Sequence, residues 1–269
     1  MAEHAGTQGP GPTLVEDRAI LSVRGVSKSF GGVLAVSDVT FSVAPGESVG
    51  LVGPNGAGKT TLFNCVCGQL RPDGGTVVFD GRDLGRMPTF KRARLGIGRT
   101  YQRIEVFSEL TVREHLLVAE RSHLGDGRFW KDLLNLSAPK PEERARVEEV
   151  LELVNLTDKA DTPVAALGLG MCRLVELARA LVGEPKLLMA DEPSSGLDTH
   201  ESRELGEVLR ALQRERGMAV LLVEHDLGMV GQCVDRTVVM DLGEVIADAP
   251  FEQVMADPRV RHAYLGTKV

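Results

Sequence analysis

Along the chain, a readable apolar pattern begins at residue 20. Ile20 to Val26 reads as a strand, and Val39 to Val43 alternates apolar and polar positions as a half-buried strand does. Pro45-Gly46 marks a turn before an unbroken apolar run, Val49 to Val52. A helix pattern follows from Lys59 to Cys67, with Gly68 placed as its stop. Thr76 to Asp80 predicts another strand, closed by Gly81. Thr111 and Glu114 form a capping box that opens a helix reaching Arg121. Glu142 to Val154 carries Val147, Val150, Leu151 and Val154 on one stripe, an amphipathic helix. Met171 to Leu181 predicts a further helix. Leu187–Ala190 and Ala219–Val223 are short continuous apolar runs, as in strands covered on both faces, with a helix from Glu201 to Arg214 between them. Thr237–Asp241 and Val245–Asp248 flank Leu242-Gly243 as a hairpin. This alternation predicts an α/β fold with a mainly parallel sheet and flanking helices.

Composition narrows the class. The chain has 269 residues, 43% hydrophobic and 26% charged, as in an ordinary soluble globular protein. Its formal net charge of -7 argues against nucleic acid as a bulk partner. Cys65-Val-Cys67 is too tightly spaced for the usual zinc site, so the four cysteines read as buried thiols in a reducing compartment. No apolar run approaches the ~18–20 residues that span a bilayer. Residues 1–17 carry no basic and apolar leader pattern and are expected to be a disordered tail. Membrane association would then come through a partner that supplies the span. Between Arg82 and Arg103 stand seven Lys or Arg and one acid, Asp83. They read either as a solvated helix face or as a contact for nucleotide or partner. Ser122 to Pro141 reads as an insertion or connecting loop, whose Phe129-Trp130 would anchor a partner or pack on the chain's own helices.

The chemistry is concentrated in a few places. Gly53-Pro54-Asn55-Gly56-Ala57-Gly58-Lys59-Thr60 fills the pattern G-x-x-x-x-G-K-S/T between a strand and a helix, with Thr61 next in the helix. The glycines let backbone N–H groups turn inward as an anion nest, and the helix start points its positive end at phosphates. Lys59 is expected to reach the β- and γ-phosphates of ATP, and the Thr60 hydroxyl to bind Mg²⁺. Downstream, the strand over Leu187–Ala190 runs straight into Asp191-Glu192. Asp191 suits the Mg²⁺ shell, and Glu192 would orient or deprotonate an attacking water. His225 follows the next buried strand, where it is either a structural hydrogen-bonder or a catalytic group.

Together these residues resemble the nucleotide-binding domain of ABC transporters, from about Ile20 to the C-terminus. The phosphate loop is similar to Walker A, and Leu187 to Glu192 to Walker B plus the family's catalytic glutamate. Ser195-Gly-Leu-Asp198 resembles the D-loop, and His225 the switch histidine. Gln102, in Arg99-Thr-Tyr-Gln102, resembles the glutamine that joins Mg²⁺ to the transmembrane subunit, and Phe30 the aromatic that stacks on adenine. The resemblance implies one ATPase domain over 18–269. Its parts would be a P-loop NTPase core, an antiparallel β subdomain and a helical subdomain at about 103–182 that carries the signature motif. It also implies ATP hydrolysis with Mg²⁺ at the cytoplasmic face of the membrane, permease partners, a second ATPase chain and an extracytoplasmic substrate-binding protein.

Arg99-Thr-Tyr-Gln, Val106 to Val112, the 122–141 segment and His262-Ala-Tyr-Leu-Gly266 resemble the ATPases of branched-chain and hydrophobic amino-acid importers. The Ala-Tyr-Leu-Gly ending is also similar to the lipopolysaccharide-export ATPase. A soluble ABC protein of translation or DNA repair, or a nucleotide-gated switch, are the other readings. One motif departs from the family. Where its signature reads Leu-Ser-Gly-Gly-Gln, this chain has Leu167-Gly168-Leu169-Gly170-Met171, without the serine and the glutamine. In the family that this chain resembles, the signature serves the ATP on the partner's phosphate loop. The departure therefore points to a heterodimer rather than a homodimer.

Overall fold

A computed structural model describes residues 19–100, 109–124 and 139–265. The expected tail over 1–17, Gln102 and Phe129-Trp130 lie outside the described residues.

Among the described residues, the strands form two sheets. Strands β1 (Leu21–Phe30), β2 (Val33–Val43), β4 (Gly74–Phe79) and β5 (Arg82–Asp83) make an antiparallel sheet in the order β2-β1-β4-β5. The second sheet has six strands, ordered β10-β9-β3-β8-β7-β6. They are β3 (Ser48–Val52), β6 (Ile97–Arg99), β7 (Leu187–Asp191), β8 (Ala219–Val223), β9 (Arg236–Asp241) and β10 (Glu244–Ala249). All neighbours are parallel except β10, which returns antiparallel along β9 through Leu242-Gly243.

Among the described residues the α-helices are α1 (Lys59–Cys67), α2 (Thr89–Arg94), α3 (Val112–Leu124), α4 (Pro141–Leu153), α5 (Leu169–Leu181), α6 (Thr199–Arg216), α7 (Leu227–Cys233), α8 (Phe251–Ala256) and α9 (Pro258–Leu265). The parallel strands are buried on both faces, and their side chains divide by period two. Leu188, Ala190, Val220 and Leu222 enter the core under α3 to α7. Leu187, Met189, Leu221 and Val223 enter the core under α1 and the antiparallel sheet. Strands β3, β8 and β7 lie side by side, so their carboxyl ends open onto one crevice.

The structure amends several boundaries. The first two strands extend toward each other into a hairpin closed by Gly31 and Gly32. The helix expected from Met171 begins at Leu169, with Gly168 as its N-cap. Helices α7, α8 and α9 and the short β6 give too few residues for periodicity to reveal. The basic stretch is not a solvated helix face throughout. Only Thr89–Arg94 is helical, and Arg92 is 3% exposed. Its guanidinium donates to five main-chain carbonyls, of Met87, Cys65, Val66, Leu84 and Gly85. It therefore caps the C-terminus of α1 with a cation. All four cysteines are buried and free, and burial pushes Cys67 and Cys233 up to about 12. Among the described residues no helix is long and apolar enough to cross a membrane.

Candidate nucleotide and catalytic site

The loop after β3 is pinned by its glycines. Gly53 has φ 151°, and a Cβ there would stand 2.1 Å from the Met240 carbonyl oxygen. Gly58 has φ 97°, and its Cβ would meet the Ala35 carbonyl oxygen at 2.2 Å. Any side chain at either position would push the loop off β9 or β2. Asn55 and Gly56 stay exposed at the tip, while Ala57 is buried and accepts from the Gly243 N–H at 3.1 Å. Gly58 supplies no side-chain cap to α1, and the first turn holds no acid. The free N–H groups and the positive end of the helix thus face the crevice unopposed. Thr60 is exposed and Thr61 half-buried in that first turn. Lys59 is 7% exposed and donates to the carbonyls of Gly53 at 2.6 Å and Pro54 at 3.0 Å. Burial pulls the Lys59 ammonium down from its usual pKa, and the charge of Glu192 works against that.

Asp191 ends β7 and is 3% exposed. Its N–H donates to the Thr100 hydroxyl at 3.4 Å, and the Arg99 guanidinium lies 3.6 Å from its carboxylate. Burial raises the Asp191 carboxyl above its usual range; Arg99 opposes this, and Glu192 and Glu224 add to it. Arg99 also donates to Asn64 at 3.2 Å and lies 4.8 Å over the Phe63 ring, so it ties β6 to α1 beneath the site. Glu192 adopts φ 47°, a left-handed conformation uncommon for a side-chain-bearing residue. Its N–H donates to Val223 across the sheet at 2.8 Å, and its carbonyl accepts from Ser195 at 3.1 Å. His225, after β8, is exposed, with Nδ1 3.8 Å from Glu224.

Two residues at the crevice went unassigned in the sequence reading, Arg99 and Glu224. Each has a partner far away in sequence, Asp191 for Arg99 and Ser194 for Glu224. A carboxylate closing the apolar run Val220–Val223, next to His225, was the available signal for Glu224.

Phe30 closes β1 at 47% exposure, with the Lys28 ammonium 5.5 Å above its ring. Asp73 fixes this end of the hairpin. It accepts from Lys28 at 2.7 Å, from the Ser29 N–H at 2.8 Å and from the Ser29 hydroxyl at 2.9 Å. The same hairpin carries Ala35, which abuts Gly58, so Phe30 belongs to the wall beside the phosphate loop. The altered signature opens α5. Gly168 is extended, at φ -69° and ψ 166°, and nothing lies within 4 Å of a Cβ there. Gly170 is crowded instead, since its Cβ would stand 2.7 Å from Glu201. Leu169 and Met171 are each 39% exposed.

The donor set fits Mg²⁺ shared with a nucleotide. Among the described residues no three His, Cys, Asp or Glu side chains form a metal cage. A hydroxyl at Thr60 and one buried carboxylate at Asp191 are hard oxygen donors, of the kind that holds Mg²⁺ jointly with phosphates.

Comparisons with known proteins agree with this geometry. Residues 36–195 match a family model described as ABC transporter, and residues 244–269 one described as branched-chain amino acid ATP-binding cassette transporter. The chain is 40% identical over 252 residues to the high-affinity branched-chain amino acid transport ATP-binding protein BraF of Pseudomonas aeruginosa, covering 93% of this chain and 98% of that one. It is 37% identical over 248 residues to the lipopolysaccharide export system ATP-binding protein LptB of Haemophilus influenzae, covering 92% and 98%. Among solved structures, an ATP-binding cassette of an ABC transporter in its ADP conformation superimposes with a TM-score of 0.83 at 32% identity, covering 92% of this chain and 99% of that one. With its phosphate loop, its paired carboxylates and its two-sheet architecture, the chain belongs to the ABC transporter family as an ATP-binding, ATP-hydrolysing subunit.

Proposed function

We propose that this ATPase energises the uptake of branched-chain or other hydrophobic amino acids. The observation that carries the substrate class is the match of residues 244–269 to the branched-chain amino acid model, supported by the similarity to BraF. The chain would sit at the cytoplasmic face of the membrane on permease subunits, in a system that includes an extracytoplasmic substrate-binding protein. Lipid or lipopolysaccharide export is the second reading, supported by the similarity to LptB.

At the site, the N–H groups of Gly58 to Thr61 and the α1 dipole hold the phosphates. Lys59 exchanges its two carbonyl partners for β- and γ-phosphate oxygens. Phe30 stacks on adenine. Thr60 and Asp191 would hold Mg²⁺, with Gln102 added on the family pattern, and the ion supplies charge neutralisation across the phosphate oxygens. Glu192 orients the attacking water and takes its proton, and His225 approaches the γ-phosphate from the neighbouring strand end. Closure of a dimer over ATP and its reopening after hydrolysis would move the permease between its two states.

Glu192→Gln is the direct test. Steady-state hydrolysis should fall by about 100-fold or more while a fluorescent ATP analogue still binds. Unchanged turnover would remove Glu192 from the role of base. The substrate class is tested by reconstitution with the permease subunits, where leucine-stimulated turnover is expected and stimulation by lipopolysaccharide instead would favour export.

A further inference from the structure

Glu224 is a carboxylate with 0% exposure, placed between the end of β8 and the start of α7. An ionised carboxylate buried so completely is expensive unless donors surround it. Here the donors come from two loops. The Ser194 N–H reaches Oε1 at 2.9 Å, from the segment that follows Glu192. The His225 N–H reaches Oε2 at 3.1 Å and the Asp226 N–H reaches it at 3.5 Å. One side chain thus bridges the loop after β7 to the loop after β8.

These loops need such a bridge. Strands β7 and β8 run in register up to Asp191 opposite Val223, and the sheet ladder stops there. Beyond it, Glu192 is held in its left-handed conformation by its own N–H to Val223 and by the Ser195 turn. Ser195 is further fixed by Arg173 of α5, which donates to its carbonyl at 3.0 Å. Without Glu224, Ser194 would lose its partner and the strained turn at Glu192 would be free to relax.

We propose that Glu224 is a positioning residue for hydrolysis, holding the loops of Glu192 and His225 at a set distance from one another. This rests on the roles given above to Glu192 and His225. A displacement of about 1 Å at a catalytic group costs on the order of 100-fold in rate, whereas the phosphate loop makes none of its bonds to Glu224.

The test compares the full-length wild type with Glu224→Gln and Glu224→Asp. The glutamine variant keeps the shape but removes the charge and turns an amide N–H toward one of the donors. Its kcat is expected to fall by about 10- to 100-fold, with KM for ATP and binding of a fluorescent ATP analogue within about twofold. Amide exchange should quicken at Ser194 and His225 and stay unchanged at Gly53 to Thr60. The aspartate variant keeps the charge and should recover part of the turnover. If the glutamine variant does not fold, the aspartate variant alone should still show lowered kcat with ATP affinity retained. Turnover within twofold of wild type in both variants would overturn the proposal. So would kcat, ATP affinity and melting temperature falling together with no recovery by aspartate. Glu192→Gln run alongside separates the two claims. If it turns over normally the site assignment fails, and the exchange at Ser194 and His225 still decides whether Glu224 joins the loops.

Discussion

Asp73 shows how a side chain outside the crevice shapes it. Its hydrogen bonds to Lys28 and Ser29 hold its carboxyl at about 2, below the usual carboxylate range, although the side chain is exposed. A depressed pKa means that the folded state prefers the ionised form. The clamp is therefore in place above about pH 4 and is lost as pH falls toward 2. Asp73→Asn should loosen Lys28 and with it the setting of Phe30. The expected result is a KM for ATP raised a few-fold, about two- to fivefold, with kcat little changed, read from saturation kinetics at neutral pH. An equal fall in kcat would place Asp73 in the chemistry instead. Arg99 and Glu224 are alike in that each meets a partner far away in sequence, Asp191 and Ser194.

Among the elements, α5 opens on Gly168, where the resemblance leads one to expect serine. Its N-cap is a glycine in an extended conformation that suits serine, and the space around it is open. Gly168→Ser should therefore be accepted without rearrangement, adding a few tenths of a kcal/mol, about 0.2–0.5, to stability in denaturant melts. If the signature limits hydrolysis, the same variant alone in solution should turn over faster than wild type. No gain would count against that limit and against the expectation of a specialised partner. The crowding of Gly170 by Glu201 makes the neighbouring position a packing requirement, because α6 begins there with the Asp198–Glu201 capping box. Similarly, α1 depends on Arg92 at its far end as much as on Gly58 at its start. The basic composition around Arg92 was visible in the chain. Its burial was not, because that depends on carbonyls from α1 and from the turn after β5.

In the molecule as a whole, the proposed site needs the two sheets to keep their relation, since Phe30 ends β1 of one, while Lys59 opens the helix after β3 and Asp191 and Glu192 lie at the end of β7 of the other. Arg236 of β9 is one joint between them. It donates to Glu47 at 2.7 Å, to Asp248 of β10 and to the Ser42 carbonyl of β2. Despite burial, its bonds to Glu47 and Asp248 keep it firmly protonated, above its usual pKa. Arg236→Met would leave the half-buried Glu47 and the exposed Asp248 without their cation. Stability should drop by about 2–4 kcal/mol, measured by chemical denaturation, and ATP affinity should fall with it. A shift below about 0.5 kcal/mol would mean that the apolar cores alone hold the sheets together.

The phosphate loop, the paired carboxylates after β7 and the α/β character were legible in the chain because each is a short run of consecutive residues. In such runs, local conformation follows from glycine placement, capping and apolar period. The order β3-β8-β7, the bridge from Glu224 to Ser194, and the placing of Arg99 against Asp191 were not legible. They depend on which strands lie side by side, and that is settled by packing both faces of the sheet at once. Lys59 and Thr60 could be named as candidate phosphate and metal donors from eight residues. That Glu192 lies at the same sheet edge as the phosphate loop was fixed only when β3, β8 and β7 came to lie side by side.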